Sequence, residues 1–302
     1  MTQESQKNEV RPQAAQGSEH ERLKEVLAFV NNKGGVGKTT TTVCLASALL
    51  RERKDWRILV IDLDSQCNAS MLLGWNDKSK GNTVYEALKD GASLPVYETS
   101  AKNYGKEGGV FLCPGHTYMS GIDTALRMQR PAEMVLRKLF AKPIEDNTDR
   151  GLPLDITEAF DYVLIDCPPA LGDITYNALT VSDGVVIPVE PDRLSADALS
   201  KTICVYTDCQ KNLNRELRFR GILLTRVDQR ATVVREFIEY IRNTYDKAVF
   251  NTMIRLTAKL KEAQGIGKDL YEYNPYGNTG MDYTSFAKEI LDTYPDVYGD
   301  ER

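Results

Sequence analysis

The sequence of 302 residues has no apolar run that approaches the roughly 18 residues needed to span a membrane. Its start, MTQESQKNEVRPQAAQGSEHERLK, is too polar for a secretory signal, which requires an apolar stretch. The six cysteines are scattered and form no C-x-x-C pair, so no zinc, iron–sulfur or dithiol redox site is indicated. These absences predict a cytoplasmic protein whose thiols are free and buried.

Histidine is scarce, and positive charge is in the minority. His20 and His116 are the only histidines, so few side chains can act as bases near neutral pH. The 38 Lys and Arg oppose 43 Asp and Glu, and the net charge of −5 argues against a uniformly basic, histone-like binder. The total hides two opposite regions. Residues 215–261 carry eleven Lys/Arg and five Asp/Glu, whereas residues 262–302 carry three and nine.

Short apolar runs alternate with longer segments of helical character along most of the chain. Apolar runs without in–out alternation are typical of strands that are buried on both faces of a parallel sheet. The predicted strands are Val26–Val30, Ile58–Asp62, Val110–Cys113, Tyr162–Asp166, Gly184–Val189 and Gly221–Val227. The predicted helices are Lys38–Arg53, Ile122–Phe140, Ser195–Lys211 and Thr232–Thr244. This order predicts an α/β fold, a doubly wound, mostly parallel sheet with helices on both faces.

The domain organisation follows from composition. Residues 1–24 are polar and lack apolar periodicity, so we expect a disordered leader. Glu98–Gly109 and Ala141–Asp155 fit neither a strand nor a helix and are expected to be surface loops or insertions. Because there is no internal repeat and no second core, we expect one domain over residues 25–293, followed by an acidic tail at 294–302.

A glycine-rich turn, FVNNKGGVGKTT, joins the first predicted strand to the first predicted helix. Backbone N–H groups and the positive end of the helix dipole converge at such a turn, which suits a phosphate group. Lys38 is expected to reach the β- and γ-phosphates of a nucleotide, and the Thr39 hydroxyl to ligate Mg²⁺. The predicted nucleotide-binding residues of this turn are Gly34, Gly35, Val36, Gly37, Lys38, Thr39 and Thr40.

Two positions of this turn depart from the strict phosphate-loop pattern G-x-x-x-x-G-K-[ST]. Asn32 stands where the first glycine is required, and Lys33 adds a second lysine before the glycines. A cation placed behind its own loop cannot easily reach the same phosphates. We therefore expect Lys33 to reach a nucleotide on another subunit, and a plain solvated lysine is the alternative.

Four segments resemble the ParA/MinD/Soj family of P-loop ATPases. KGGVGKTT resembles the deviant Walker A motif of that family, whose first lysine contacts the nucleotide across a sandwich dimer. The other three segments are VIDLDSQCNAS (Val60–Ser70), DYVLIDCPPALGDITYNAL (Asp161–Leu179) and GILLTRVDQR (Gly221–Arg230). The resemblance runs from about Glu25 to about Tyr273. It implies an ATPase that uses ATP and Mg²⁺, forms a homodimer on ATP and hydrolyses ATP slowly until a partner accelerates it.

Three aspartates are expected to work with the phosphate loop. Asp62 and Asp64 follow an apolar strand, and side chains that alternate along a strand place both towards the edge where phosphates are expected. By resemblance, Asp64 orients the attacking water, Asp62 lies in the Mg²⁺ shell with Thr39, and Asp166 is the Walker B carboxylate. Strand-end caps are the alternative for these residues. Lys38, Mg²⁺ and Lys33 of a second subunit would neutralise the charge of the transition state.

The basic region 215–261 contains the strand, loop and helix that the family uses for non-specific DNA binding. Its candidate DNA-binding residues are Arg226, Arg230, Arg235 and Arg242. Arginines can hold phosphates without reading bases, and Arg235 and Arg242, seven residues apart, are expected to share a helix face. A solvated surface is the alternative.

Another segment departs from the family. Where relatives have an Ile-Pro-Arg segment that lines the base, this chain reads MIRLTAKLKEA and lacks the proline. Arg255 is the residue expected at the base, without the fixed φ that proline would impose.

The resemblance thus implies a switch for chromosome or plasmid partition that binds DNA non-specifically, associates with the nucleoid and is reset by a ParB-like centromere-binding partner. A MinD-like basic membrane helix is not expected, because YTSFAKEILDTYPDVYGDER is acidic. The leader is too short for a helix-turn-helix domain. Two alternatives stay open: an ATPase that positions a protein cargo, and a tyrosine kinase, suggested by six tyrosines between Tyr271 and Tyr298.

Overall fold

The computed structural model describes residues 23–75, 81–99, 108–192, 194–265, 270–274 and 277–292. Most of the predicted leader, the whole predicted acidic tail and residues 100–107 of the predicted loop lie outside these ranges. Leu23 and Lys24, at the end of the predicted leader, donate backbone hydrogen bonds to the carbonyls of Thr157 and Asp161.

The described residues contain one nine-stranded sheet. Its strands are β1 Glu25–Phe29, β2 Arg57–Asp62, β3 Pro95–Glu98, β4 Gly109–Cys113, β5 Glu145–Asp146, β6 Tyr162–Asp166, β7 Gly184–Val189, β8 Arg218–Val227 and β9 Val249–Arg255. Their order across the sheet is β5-β3-β4-β2-β6-β1-β7-β8-β9. All neighbouring pairs are parallel except β3 and β4. The predicted mostly parallel sheet is therefore confirmed.

Helices cover both faces of this sheet. They are α1 Lys38–Glu52, α2 Asn68–Leu72, α3 Val84–Asp90, α4 Ile122–Met128, α5 Val135–Phe140, α6 Ile156–Ala159, α7 Asp173–Val181, α8 Ser195–Asn212, α9 Thr232–Tyr245, α10 Ala258–Gly265, α11 Leu270–Tyr273 and α12 Asn278–Asp292. One hydrophobic core joins α1 and α12 to the sheet, and a second core lies under α3, α4, α5, α7, α8 and α9. Helices on both faces are thus confirmed. None of the described helices is both long enough and apolar enough to cross a membrane.

The central strands are apolar throughout because they are buried on both faces. Every residue of β1, β4, β6 and β7 is buried. All six cysteines are free thiols, and Cys204 is the exposed one among them. The prediction of buried thiols is therefore wrong for Cys204.

Several local predictions differ from the structure. The single helix predicted over Ile122–Phe140 is wrong: α4 ends at Met128 and α5 begins at Val135. Pro131 lies between them, and proline lacks the N–H of a continuing helix and its ring clashes with the preceding turn. The predicted loop Ala141–Asp155 contains the short strand β5, which pairs with β3. Strands β3 and β9, and helix α12, were not predicted.

The topology brings several chain segments together at one edge of the sheet. Parallel strands β2, β6, β1 and β7 are neighbours, so their carboxyl ends and the loops that follow them meet there. Asp62 and Asp166 are direct neighbours in the register of β2 and β6, and Phe29 of β1 is in register with Asp166 on its other side. The glycine-rich turn, which follows β1, therefore lies beside both aspartates.

Candidate functional site

The turn between β1 and α1 is fixed by a fully buried asparagine. The Asn31 side-chain amide donates to the carbonyl of Pro188 in β7 at 2.8 Å, and its oxygen accepts from the Lys33 N–H at 2.9 Å. Gly35 and Gly37 have φ angles of 77° and 90°, in the left-handed region that favours glycine. The turn therefore has one defined shape in the free chain.

The inner side of this turn is open. A Cβ atom at Gly34 or Gly35 would meet nothing within 4 Å. The outer side is supported by β8, because the Thr225 hydroxyl donates to the buried carbonyl of Val36 at 2.6 Å. The backbone is thus held from behind and left accessible in front, as a site that binds a ligand through N–H groups requires.

Lys38, the first residue of α1, is buried, with 6% of its surface exposed. Its Nζ donates to the carbonyls of Asn31 at 3.0 Å and Lys33 at 3.3 Å, so the side chain runs along the turn. Burial lowers the pKa of Lys38, and the charge of Asp166 opposes this effect. The amine is therefore placed between the turn and the aspartates.

Lys33 is engaged within its own subunit. Its Nζ forms an ion pair with Asp192 and donates to the Ser195 hydroxyl at 3.2 Å. Asp192 lies just after β7, in a tight turn closed by its N–H to the carbonyl of Glu190 at 2.9 Å. Burial alone would raise the pKa of Asp192, but the hydrogen bond and charge of Lys33 outweigh it and lower that pKa. Lys33 is therefore an ion-paired residue rather than a solvated one.

Two fully buried aspartates lie side by side next to this turn. Asp62 accepts hydrogen bonds from the Ser70 N–H, the Ser70 hydroxyl and the Asp64 N–H. Neither carboxylate oxygen of Asp166 has a hydrogen-bond partner. Burial raises the pKa of Asp62 to about 6. Burial and the neighbouring charge of Asp62 raise the pKa of Asp166 as well. The Thr39 hydroxyl, although it does not meet hydrogen-bond geometry, and the charge of Lys38 counteract this rise in part.

Asp64 lies in the loop between β2 and α2. Its N–H is bonded to Asp62, and its carboxylate accepts from the Gln66 N–H at 3.0 Å. The negative charge of Asp64 contributes to raising the pKa values of Lys38, Asp62 and Asp166. The structure thus brings together the residues that the sequence predicted as catalytic or metal-binding around the turn.

A cavity of about 420 Å³ opens at the carboxyl ends of β8 and β9. It is lined by Val227, Asp228, Gln229, Arg230, Met253, Arg255 and Leu256. The Arg255 guanidinium forms two-pronged hydrogen bonds with Asp282 of α12 and also donates to the carbonyl of Asn278 at 3.1 Å. Arg255, predicted to contact a base, therefore lines a cavity with its charge already paired.

The first two candidate DNA-binding arginines are paired with carboxylates. The Arg226 guanidinium donates to Glu190 at 2.9 Å, and its backbone has the unusual φ of 54°. Arg230 holds Asp228 through two hydrogen bonds of 2.8 and 2.7 Å. Both residues lie at the carboxyl edge of the sheet, near the end of β8.

The other two arginines lie on α9 and differ in environment. Arg235 is exposed and donates to the Thr232 hydroxyl at 3.2 Å. The Arg242 guanidinium points to β9, where it donates to the carbonyls of Phe250 and Asn251 at 3.2 and 3.3 Å. Arg235 is thus the more accessible of the two to a phosphate in solution.

Comparison with known proteins agrees with these motifs. A family model described as an AAA domain matches residues 24–219. The sporulation initiation inhibitor protein Soj of Bacillus subtilis is 32% identical over 88% of this chain and 98% of its own length. The chromosome partitioning protein ParA of Myxococcus xanthus is 30% identical over 88% of this chain and 87% of its own length.

The chain belongs to the ParA/Soj family of P-loop ATPases. Its fold is also that of a cobyrinic acid a,c-diamide synthase from Mycobacterium smegmatis solved with an ATP analogue and magnesium. The TM-score is 0.71 and the identity 26%, over 89% of this chain and 95% of that one.

In this ParA/Soj-family chain, four site residues escaped the sequence analysis. They are Asn31, Ser70, Asp192 and Thr225. Asn31 could have been suspected, because it stands between a buried strand and a glycine turn. Asp192 and Thr225 contact Lys33 and Val36 from 159 and 189 residues away in the sequence, so local patterns carry no signal for them. Ser70 is only eight residues from Asp62, and it was not singled out within the segment Val60–Ser70.

The aspartates of this ParA/Soj-family site fit a divalent cation. A buried carboxylate without a hydrogen-bond partner is costly unless a cation or its bound water faces it. The described residues contain no group of three or more His, Cys, Asp and Glu side chains able to hold a metal ion by themselves. Mg²⁺ suits such a place, since it keeps several waters and takes oxygen ligands from a nucleotide.

The unpartnered carboxylate predicts a stability effect in Asp166→Asn. In EDTA and without nucleotide, this variant should be more stable than wild type at pH 8, by about 1–3 kcal/mol, because a buried charge is removed. The pKa of Asp166 is raised in the folded state, so wild type loses stability as pH rises through that pKa. The gain should therefore be smaller at pH 5.

Urea denaturation at both pH values measures this effect. The exposed Asp149 supplies the control, and Asp149→Asn should leave the free energy of unfolding within about 0.5 kcal/mol of wild type. A lower stability of Asp166→Asn at both pH values would contradict the interpretation.

Proposed function

We propose that this chain is a Mg-ATP-dependent dimerising switch that serves chromosome or plasmid partition. The observation that carries the proposal is the open glycine turn with Lys38 beside Asp166, a buried carboxylate without a partner. A phosphate group and a cation together satisfy both features. The similarity to the Soj protein and to the chromosome partitioning protein ParA supports the partition role. The magnesium and ATP analogue bound to the Mycobacterium smegmatis synthase support the cofactors.

The binding roles follow from position. Backbone N–H groups of Gly34–Gly37 and the amine of Lys38 would hold the phosphates of ATP. The Thr39 hydroxyl would ligate Mg²⁺, and Asp62 and Asp166 would hold its bound waters. Bound Mg²⁺ supplies positive charge that neutralises the phosphate oxygens during transfer to water.

Hydrolysis needs an oriented water rather than a covalent intermediate. Asp64 is the carboxylate proposed to orient it, since its loop is fixed to Asp62 beside the phosphate turn. The described part of this chain offers Lys38 as the cation buried at the turn. A single cation is modest charge compensation, so basal hydrolysis is expected to be slow.

A second positive charge at the phosphates is proposed to come from Lys33 of a second copy of the chain. In the free chain Lys33 is about one-quarter exposed and neutralised by Asp192. The phosphates of ATP carry more negative charge than one carboxylate, so they can compete for the amine. Exchange of Asp192 for a partner's nucleotide would couple ATP binding to dimerisation.

Lys33→Ala tests this exchange. With a non-hydrolysable ATP analogue, wild type should dimerise, whereas the variant should stay monomeric and bind the analogue with an affinity within a few-fold of wild type. Sedimentation velocity measures the first property, and calorimetric titration the second. Lys201→Ala, at an exposed lysine of α8 paired with Asp197, should dimerise as wild type does. Dimerisation of Lys33→Ala at wild-type affinity would contradict the proposal.

Non-specific DNA binding is proposed for the face that carries Arg235. The basic excess of residues 215–261 and the exposure of Arg235 support it. Arg226 and Arg230 lie nearby in sequence, but each already neutralises a carboxylate. We therefore expect Arg235 to contribute more to the first contact with DNA phosphates than either of them.

Arg235→Ala should weaken ATP-dependent binding to random duplex DNA and lower the slope of log affinity against log salt by about 1. The exposed Arg215, which precedes β8 at the opposite edge of the sheet, provides the matched control Arg215→Ala. Fluorescence anisotropy at several salt concentrations measures both. Absence of wild-type binding at low salt would contradict DNA binding.

One observation favours the alternative of a protein cargo. Val233 and Tyr240, also on α9, are 45% and 53% exposed. Exposed apolar side chains suit a protein partner better than a phosphate backbone. A ParB-like, centromere-binding protein that resets the switch is proposed for the partition role.

A further inference from the structure

Ser70 is a buried hydroxyl residue that lies near the proposed nucleotide site. It belongs to the short helix α2, and none of its surface is exposed. Ser70 is separated from the phosphate turn by the carboxylate of Asp62, to which it is bonded. Its place beside that carboxylate, rather than at the turn, raises the question of what the hydroxyl does.

The hydroxyl joins two strands of the sheet. It donates its proton to Asp62 Oδ2 at 2.6 Å and accepts the N–H of Gly115 at 2.9 Å. Asp62 ends β2, and Gly115 follows β4, the next strand in the sheet. A hydroxyl has one proton and can accept in return, so Ser70 connects both groups at once.

Gly115 packs closely against Asp62 beside this hydroxyl. A Cβ atom at Gly115 would lie 2.9 Å from the Asp62 carbonyl oxygen and 3.0 Å from its carboxylate carbon. The loop after β4 therefore approaches Asp62 as closely as a glycine permits. The Ser70 hydroxyl lies between them as the shared hydrogen-bond partner.

The connection extends to Asp64. The second oxygen of Asp62 accepts the Asp64 N–H at 3.1 Å, and the Asp64 carboxylate is in turn held by the Gln66 N–H. Once Ser70 fixes one oxygen of Asp62, the direction of the other is fixed too, because a carboxylate is planar. The backbone of Asp64 is thereby placed through Asp62.

We infer that Ser70 is a positioning residue for ATP hydrolysis, which sets Asp64 in place through Asp62 without touching the nucleotide. The inference rests on the proposed function, since Asp64 is taken to orient the attacking water. Nucleotide binding should depend little on Ser70, because the glycine turn and Lys38 are held by other contacts.

Ser70→Ala should lower kcat for ATP hydrolysis at least tenfold and leave KM and the Kd for ATP within about twofold, since a misplaced group near the chemistry costs rate more than binding. Ser70→Thr keeps a hydroxyl and should recover most of kcat. Ser182→Ala is the matched control: this buried hydroxyl donates to the Ala178 carbonyl at 2.8 Å, at the opposite edge of the sheet. Equal kcat values for Ser70→Ala and Ser182→Ala would overturn the inference.

A second variant, Ser70→Cys, tests the inference if Ser70→Ala does not fold. Ser70→Cys fills a similar space but is a weak hydrogen-bond donor, so it should also lose kcat. If Ser70→Ala does not fold, a wild-type kcat in Ser70→Cys overturns the inference.

Amide exchange separates this inference from the proposed function. In nucleotide-free protein, the N–H groups of Asp64 and Gly115 should exchange faster in Ser70→Ala than in wild type and Ser182→Ala. If wild type does not hydrolyse ATP, the proposed function fails, yet faster exchange of these two amides would still support the connection through Ser70. Unchanged exchange would overturn it.

Discussion

Two carboxyl groups buried side by side are the constraint on which the rest of the site depends. Asp62 and Asp166 end adjacent strands in register, and both are fully buried. Like charges in such a place repel each other and lose hydration, so the fold stabilises them only in part. Asp62 is supported by three hydrogen bonds, whereas Asp166 has none. A cation bound beside Asp166 would therefore stabilise its carboxylate, at the edge of the sheet next to the turn that suits phosphate.

The basic residues around this edge divide into two kinds. Lys38 is buried and bonded to carbonyls of its own turn, so it has no carboxylate to give up when phosphate arrives. Lys33 is neutralised by Asp192, which lies beyond a different strand. Lys33 must leave Asp192 before it can bind a phosphate, whereas Lys38 would exchange only backbone carbonyls. This difference supports the separate roles proposed for the two lysines of one short turn.

The sequence was informative where the relevant contacts are local. Both the glycine turn and the strand ends at Asp62 and Asp166 were predicted within a residue or two, since buried parallel strands and turns have local patterns. Pro131 should have broken the helix predicted across it, and the Thr83 to Glu86 capping box marks the missed helix α3. Contacts such as Lys33 with Asp192 join segments about 160 residues apart. They depend on strand order, which no local pattern specifies.

The central claim is that Lys33 serves the nucleotide of a second subunit, and mixing two inactive variants tests it most directly. Lys33→Ala and Asp64→Ala should each hydrolyse little ATP alone. In a mixed dimer, the site of the Lys33→Ala subunit keeps its own Asp64 and receives Lys33 from its partner. An equal mixture should therefore be clearly more active than either variant alone, since each mixed dimer has one complete site of two. A mixture no more active than either variant alone would contradict the claim, because that is the result expected if Lys33 acts within its own subunit.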